Sequence, residues 1–311
     1  EVDTTGAVEP FTKYSYLAKS AADLPRIFKE AFYIASTGRK GPVLIDIPVD
    51  VQQEMMEFSY PENVSIRGYK PPYSGHPMQI RKVAQAIGEA KRPLICVGGG
   101  VVLSGAQEAV CSFAEAFEIP VMGVGAMPAN HPFYYGMLGM TGTTTGNTAV
   151  ARSDFLVLIG ARVGDRAITS PDCLEATVVH IDIDAAEIGK NMGTTIPLVG
   201  DANHVLEHLG KLTVEGEWGD WLGELDKIRS EEQENNAQKK AKPGYISPGA
   251  FVRMLCSKLP KDAVYVADVG QNQIWSAKNF CADGRFLTTG GMGTMGYSIP
   301  AAIGAKVADP G

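Results

Sequence analysis

Phe155-Leu156-Val157-Leu158-Ile159 is an unbroken apolar run, and Gly160-Ala161-Arg162 follows it directly. An apolar run without polar alternation predicts a strand buried on both faces, as in a parallel sheet covered by helices. Similar runs lie at residues 94–97, 178–183 and 196–199, with helical patterns between them. This alternation predicts an α/β fold with a doubly wound parallel sheet in the middle of the chain.

Shorter α/β patterns lie on both sides of this middle region. Before it, a helical pattern begins after Asp23 and ends at Gly38, and an apolar strand follows at residues 42–48. After it, helical patterns begin at Pro248 and Tyr297, with strands predicted at residues 263–267 and 285–289. We therefore expect five segments: part of an α/β domain (1–60), a linker (61–77), the middle domain (78–214), a linker or solvated helix (215–246) and part of a third α/β domain (247–311).

Composition narrows the class of protein. The 311 residues are 45% hydrophobic and 20% charged, as in globular proteins, and the net charge of −7 disfavours nucleic acid or an anionic membrane as partner. The five cysteines are odd in number and form no CxxC pair, so we expect a reducing, cytoplasmic location without a disulfide framework or a zinc site. The apolar runs are too short to cross a bilayer. We also expect both ends of the chain to continue in a longer protein.

Ligands of a doubly wound sheet bind at the carboxyl ends of its strands, so the loops that follow strands are candidates for binding. Gly98, Gly99 and Gly100 follow the first strand of the middle domain and allow close approach of a ligand to a helix N-terminus. A tight strand-to-helix turn explains these glycines equally well.

Charged residues occupy three further loops of the same kind. Arg162 and Arg166 suit a diphosphate, although a surface ion pair is the alternative. Asp182 ends a strand, where a carboxylate can accept ribose hydroxyls, and Gly200-Asp201 follows the next strand, where Asp201 could simply cap a helix. Together these loops predict a pocket for a large, dinucleotide-like ligand.

A last glycine-rich loop, Gly291-Met292-Gly293-Thr294-Met295-Gly296, fits the GxGxxG pattern of nicotinamide sites. We do not favour that interpretation, because the acidic residue expected about 20 positions later would lie at or past Gly311. Bulky Met292 and Met295 suggest packing against a flat heteroaromatic ring, although methionine is more often core filler. No nucleophile, paired carboxylate or metal-ligand spacing stands out, so the chemistry is expected to belong to a cofactor.

The chain resembles the acetolactate synthases, which are thiamine-diphosphate-dependent enzymes, along nearly its whole length and in one order. Residues 29–39 and 41–48 are similar to the end of that family's pyrimidine-binding domain. Residues 136–140, 160–162 and 180–184 are similar to its FAD-binding middle domain. The resemblance implies a middle domain of the FAD/NAD-binding type.

The third region carries the same resemblance. Residues 269–275 and 290–297, followed by residues 300–305, are similar to the start of the diphosphate-binding domain. The resemblance implies that thiamine diphosphate contacts Gly270, Gln271, Gly293 and Met295, with Met295 beneath the bent cofactor. It implies that FAD, largely structural in this family, contacts Arg39, Gly98, Gly99, Gly100, Leu138, Gly139, Met140, Gly160, Arg162, Arg166, Asp182, Ile183, Gly200 and Asp201.

The resemblance also implies an activity and partners. The enzyme would decarboxylate pyruvate and join the product to a second 2-keto acid, in branched-chain amino acid biosynthesis. It would act as a homodimer or homotetramer, with a possible regulatory small subunit. The activating glutamate is expected before Glu1 and the Mg²⁺ motif beyond Gly311, so the 311 residues alone are expected to be inactive.

Five departures from the family pattern bear on FAD binding and on which member of the superfamily this chain resembles. Val49 replaces the usual lysine, Thr141 a histidine, Asn272 a histidine and Gly164 an aspartate, and the segment around Met122 is short. Two alternatives therefore stay open: another thiamine-diphosphate-dependent lyase or decarboxylase, and a nucleotide-binding module without catalysis.

Overall fold

The structure is a computed structural model that describes residues 2–123, 127–164, 166–168, 175–214, 216–238, 241, 243–282 and 284–310. The chain forms two compact units, Glu1–Tyr73 and Ser74–Gly311. Among the described residues, no helix combines the length and apolarity needed to cross a membrane.

The first unit is a small α/β arrangement. Its strands β1 (Tyr14–Leu17) and β2 (Val43–Asp46) pair in parallel. Helix α2 (Leu24–Ser36), where the sequence predicted a helix, buries Ile27, Ala31 and Ile34 and leaves Phe28 and Phe32 exposed. The remaining helices, α1 (Thr4–Val8) and α3 (Val49–Gln53), and strand β1 carry too few periodic residues to be found from the sequence.

The second unit is built on a five-stranded sheet in which every pairing is parallel. Its strands are β3 (Pro93–Val97), β4 (Val121–Gly123), β5 (Phe155–Ile159), β6 (Thr177–Asp182) and β7 (Ile196–Val199). All residues of β3 and β5 are buried, because helices cover both faces. The predicted α/β fold with a parallel sheet is thus confirmed.

Helix α4 (Pro77–Glu89) precedes the first of these strands, and α8 (Ala202–Leu209) follows the last. Between strands lie α5 (Gly99–Ser104), α6 (Gln107–Phe117) and α7 (Thr144–Arg152). The strand order is β4-β3-β5-β6-β7. The chain therefore steps outward from β3 to β4 and then returns past β3 to β5. The direction of the chain across the sheet thus reverses between β3 and β5, and doubly wound sheets bind ligands at such a reversal.

The segment predicted as a linker or solvated helix contains helix α9 (Gly219–Gln238). Trp218, Trp221 and Leu225 are buried in the core of the middle region, and the indoles of both tryptophans donate to backbone carbonyls near β3. Further along α9, Glu232 accepts hydrogen bonds from Thr144 N and Thr145 N and so caps α7. Helix α9 is therefore held on the middle region by apolar packing near its start and by the hydrogen bonds of Glu232 farther along.

The third region follows within the same unit. It consists of α10 (Pro248–Cys256), β8 (Val264–Ala267), α11 (Gln271–Asn279), β9 (Arg285–Thr288) and α12 (Ser298–Ala308). Strands β8 and β9 pair in parallel, so their carboxyl ends face the same edge. The loops after these two strands, residues 268–270 and 289–297, meet at that edge.

Candidate cofactor-binding site

The turns after β3 and β5 pack backbone against backbone. Gly98 N donates to Ile159 O at 2.9 Å, and Gly100 N donates to Gly160 O at 3.0 Å. A Cβ on Gly98 would lie 2.3 Å from Gly160 O, and one on Gly100 would lie 2.7 Å from Gly160 Cα. Contact between the two turns therefore requires Gly98 and Gly100, whereas a Cβ on Gly99 would meet open space. Gly99 is the member of the triplet that can face a ligand.

The strand ends from β3 to β7 form one continuous row. Gly160 N donates to Ile181 O at 2.8 Å, and Gly200 N donates to Asp182 O at 2.9 Å. The structure thus brings the predicted loops together at one edge of the sheet. Gly200 itself is required by packing, since a Cβ there would lie 2.8 Å from Val205 Cγ2.

The two aspartates of this row differ in their surroundings. Asp201 Oδ1 accepts from Asn203 N at 3.0 Å and His204 N at 3.3 Å, which is the helix-cap alternative considered from the sequence. Asp182 accepts from Asp184 N at 2.9 Å, is half-buried, and has its pKa raised by burial. Asp182, followed by half-buried Ile183, is the better placed of the two to accept a hydroxyl of a ligand.

The loop containing Leu138, Gly139 and Met140 is fastened beside the arginine loop. The Asn147 side chain accepts from Gly139 N at 2.7 Å and donates to Gly139 O at 3.1 Å, and Met140 N donates to Arg166 O at 2.9 Å. Leu138 packs against the core, whereas the Met140 side chain is exposed. An apolar thioether is therefore exposed beside the arginine loop.

The arginines of the middle region extend to the third region. A Cβ on Gly293 would lie 2.8 Å from Arg166 Nη1, and one on Gly291 would lie 3.5 Å from Arg162 Nη2. The arginine loop and the 289–297 loop therefore adjoin, although 129 residues separate Arg162 from Gly291 along the chain. The positively charged guanidinium groups of Arg162 and Arg166 would attract a diphosphate bound near either loop.

The turn before α11 has a geometry that only glycine adopts without strain. Gly270 has φ +132° and ψ −165° and is the N-cap of α11, a helix of nine residues. Asn272 fastens this turn, because its side-chain amide donates to Asp268 O at 3.1 Å. The backbone N–H groups that begin α11 are therefore presented beyond the end of β8, as an anion site requires.

The carboxylate of Asp268 links this turn to the 289–297 loop. It accepts from Val269 N at 2.8 Å, from Gly296 N at 3.1 Å and from Ser298 N at 2.9 Å. Beyond this link, the Met292 and Met295 side chains are 89% and 79% exposed, and thus are not core filler in this unit. Met295 is available to a flat ring.

A buried histidine lies on β6. His180 Nδ1 accepts from Gly189 N at 3.3 Å, and Nε2 has no partner with hydrogen-bond geometry within the described ranges. Burial lowers the pKa of His180, so the neutral ring is favoured. In the sheet, His180 is paired with Leu158 of β5 and with Pro197 of β7, two positions before Asp182.

Three functional candidates were not found from the sequence: Asp268, Asn147 and Glu232. An acidic residue directly before Val269-Gly270-Gln271 was a usable signal for the first. The other two act across 8 and 87 or more residues, so no local pattern marks them. Arg39 is exposed after α2 in the first unit.

The residues that depart from the family pattern differ in their contacts and in their exposure. Asn272 fastens the α11 turn, as described above, so it has a local role of its own. A Cβ on Gly164 would meet open space, and Val49 is 68% exposed at the start of α3. Thr141 is half-buried, and Met122 is fully buried in β4.

Comparisons with known proteins agree with this geometry. The family described as thiamine pyrophosphate enzyme, central domain, matches residues 80–209. The family described as thiamine pyrophosphate enzyme, C-terminal TPP binding domain, matches residues 268–311. The second match begins at Asp268 and includes the α11 turn and the 289–297 loop.

Curated relatives match the chain along its whole length. The chain is 43% identical over 328 residues to a probable acetolactate synthase large subunit of Methanocaldococcus jannaschii, and covers 55% of that protein. It is 39% identical to an acetolactate synthase large subunit of Corynebacterium glutamicum and 41% identical to an acetolactate synthase of Arthrospira platensis, covering 51% and 56% of them. The chain spans about half the length of these relatives. It belongs to the thiamine pyrophosphate enzymes, and the three relatives named above are described as acetolactate synthases.

Proposed function

We propose that the whole protein is the large subunit of an acetolactate synthase. It would decarboxylate pyruvate and join the product to a second 2-keto acid, in branched-chain amino acid biosynthesis. The observation that supports this proposal most is the junction of two loops: the α11 turn and the 289–297 loop, linked by Asp268. The turn before α11 would bind the diphosphate end of thiamine diphosphate, and the exposed Met295 beside it would contact the rings at the other end.

The chain's own residues would hold the cofactor and fix its orientation. The backbone at Gly270 and Gln271 would bind the diphosphate, with Mg²⁺ held by residues outside this chain. Gly293 would allow close approach of the loop, and Met295 would support the bent form of the cofactor. When bound, thiamine diphosphate supplies the electron sink that decarboxylation of a 2-keto acid needs. The residues of this chain would then contribute to catalysis by positioning the cofactor.

FAD would bind at the row of strand ends in the middle region. The open Gly99, the carboxylate of Asp182 and the arginines Arg162 and Arg166 fit a dinucleotide that carries a diphosphate. Further residues would shape this site through contacts that they already make in packing or helix capping: Gly98, Gly100, Gly160, Gly200 and Asp201. The proposed FAD contacts in this region also include Leu138, Gly139, Met140 and Ile183, and Arg39 of the first unit stays a prediction from the family resemblance.

The proposal includes the organisation of the whole protein. We assign residues 1–60 to the end of a pyrimidine-binding domain, 78–214 to the FAD-binding domain and 247–311 to part of the diphosphate-binding domain, with linkers at 61–77 and 215–246. A homodimer or homotetramer, a regulatory small subunit and a cytoplasmic location are part of the same proposal.

The test is product formation by the whole protein with Mg²⁺, thiamine diphosphate and pyruvate. We expect acetolactate, detected as acetoin after acid decarboxylation, and yellow protein with flavin absorbance. Release of acetaldehyde without acetolactate would contradict the proposal and would favour a decarboxylase or lyase. Tight binding of the cofactor without turnover would favour a binding module.

A further inference from the structure

We propose that Asp268 is a positioning residue that sets the register between the diphosphate turn and the ring-binding loop of the thiamine cofactor. This inference depends on the thiamine diphosphate site proposed above. It adds a residue to which neither the sequence nor the resemblance gave a role.

The geometry shows one side chain holding two segments that are distant in sequence. Asp268 Oδ1 accepts from Val269 N in its own turn and from Gly296 N in the 289–297 loop. Asp268 Oδ2 accepts from Ser298 N, the first residue of α12. One rigid carboxylate therefore fixes the distance between the start of α11 and the start of α12.

The other connections between the two segments lie away from Gly296, since β8 pairs with β9 and α12 packs on β8. A Cβ on Gly290 or on Gly296 would meet nothing within 4 Å, and both residues are exposed. Close to Met295, the bond from Gly296 N to Asp268 is therefore a local connection between the loop and the turn. Since Met295 directly precedes Gly296, the position of its side chain depends on the bond that Asp268 accepts from Gly296.

The bonding pattern requires a carboxylate. Three N–H donors converge on two oxygens, and an ionised carboxylate is an acceptor at both. Hydrogen bonds from Ser298, Val269 and Gly296 hold the pKa of Asp268 below its usual value, so the ionised form persists. In Asp268→Asn, the amide NH₂ would face either Ser298 N–H or the other two donors, and at least one bond would be lost. Asp268→Glu keeps both oxygens but displaces them by one methylene.

The middle region provides a matched control. Asp154 is also a carboxylate that accepts two backbone N–H groups, from Lys91 at 3.0 Å and from Arg92 at 2.7 Å. It lies at the amino ends of β3 and β5, opposite the edge where ligands bind. Asp154→Asn therefore removes an equivalent clamp without touching either cofactor loop.

The experiment is isothermal titration of the whole protein, wild type and variants, with Mg²⁺-thiamine diphosphate and separately with Mg²⁺-diphosphate. Thiamine diphosphate spans both segments, whereas diphosphate alone needs only the turn. For Asp268→Asn we expect a Kd for thiamine diphosphate raised about tenfold or more, and a Kd for diphosphate within about threefold of wild type. Asp268→Glu should recover part of the loss, and Asp154→Asn should lower the melting temperature with both Kd values unchanged.

Three results would overturn the inference. The first is unchanged affinity of Asp268→Asn for thiamine diphosphate. The second is an equal loss for both ligands, which would mean that only the turn had been damaged. The third is an equal loss in Asp154→Asn, which would mean that any destabilised variant binds poorly. If wild type binds the cofactor but makes no acetolactate, the proposed activity fails while this titration still decides the role of Asp268.

Discussion

Two sets of glycines at the ends of parallel strands look alike in sequence but differ in structure. In the middle region, Gly98, Gly100 and Gly160 are needed because neighbouring backbones touch. In the third region, Gly270 is needed because of its own backbone angles, and Gly290 has open space around the Cβ position. Glycine in a turn after a strand is thus evidence of a ligand only after packing between turns has been accounted for.

The same contrast applies to acidic residues at strand ends. Asp201 caps the helix that follows it, within its own loop. Asp268 links its own turn to a loop 28 residues away. We infer that the Asp268 side chain holds the loops of the third region in place for a ligand. In the middle region, hydrogen bonds between neighbouring strand ends do this.

The largest expected effect is the difference in folding stability between a variant of the closely packed Gly98 and a variant of Gly99, which has open space around its Cβ position. Gly98→Ala would place Cβ against Gly160 O, a backbone atom that cannot give way without moving β5, so a loss of about 3 kcal/mol of folding free energy is expected. Gly99→Ala would meet nothing and lies at the start of α5, so its stability should stay within about 0.5 kcal/mol of wild type. Chemical denaturation of the purified variants measures both.

Flavin binding sharpens that comparison. Because Gly99 is the open member of the triplet, Gly99→Ala should weaken FAD binding in a protein that remains folded. Equal stability of the Gly98 and Gly99 variants would show that the two turns do not approach as closely as described. Unchanged FAD affinity in Gly99→Ala would remove this turn from the proposed contacts.

A smaller effect is expected from pH, through His180 in the middle region. Burial lowers the pKa of His180 from its ordinary value of 6.5. Above pH 6.5 the ring is neutral in both folded and unfolded chains, so it adds no pH dependence. As pH falls below 6.5 the unfolded chain takes up the proton first, and stability should therefore fall. His180→Asn, which keeps an acceptor near Nδ1, should reduce this slope in thermal unfolding between pH 7 and pH 5, and an unchanged slope would refute it.

Much of the fold could be predicted because the middle strands are apolar on both faces. The run at Phe155–Ile159 was predicted with its observed bounds, and the strand at Ile196–Val199 likewise. Short elements such as β1 were missed, because four residues with mixed exposure carry no clear period. The helical spacing of Trp221 and Leu225 is visible in the sequence, but the polar residues that follow led to the prediction of a linker rather than a docked helix.

The candidate site was predictable in its loops but not in its connections. Gly270 and Gln271 were predicted from the family resemblance, and the turn before α11 has the backbone N–H groups that this role needs. The bonds that Asp268 accepts from Gly296 and Ser298 depend on two strands pairing in parallel, which no local pattern specifies. The proximity of Arg166 to Gly293 likewise depends on how two regions pack.

The most direct test of the central claim is a crystal structure of the whole protein with Mg²⁺ and thiamine diphosphate. We predict that diphosphate oxygens lie about 3 Å from the first backbone N–H groups of α11 and from the Gln271 side chain, with Met295 against the cofactor rings. Diphosphate bound instead at the turn of Gly98 and Gly160, or away from both turns, would contradict the assignment of the third region.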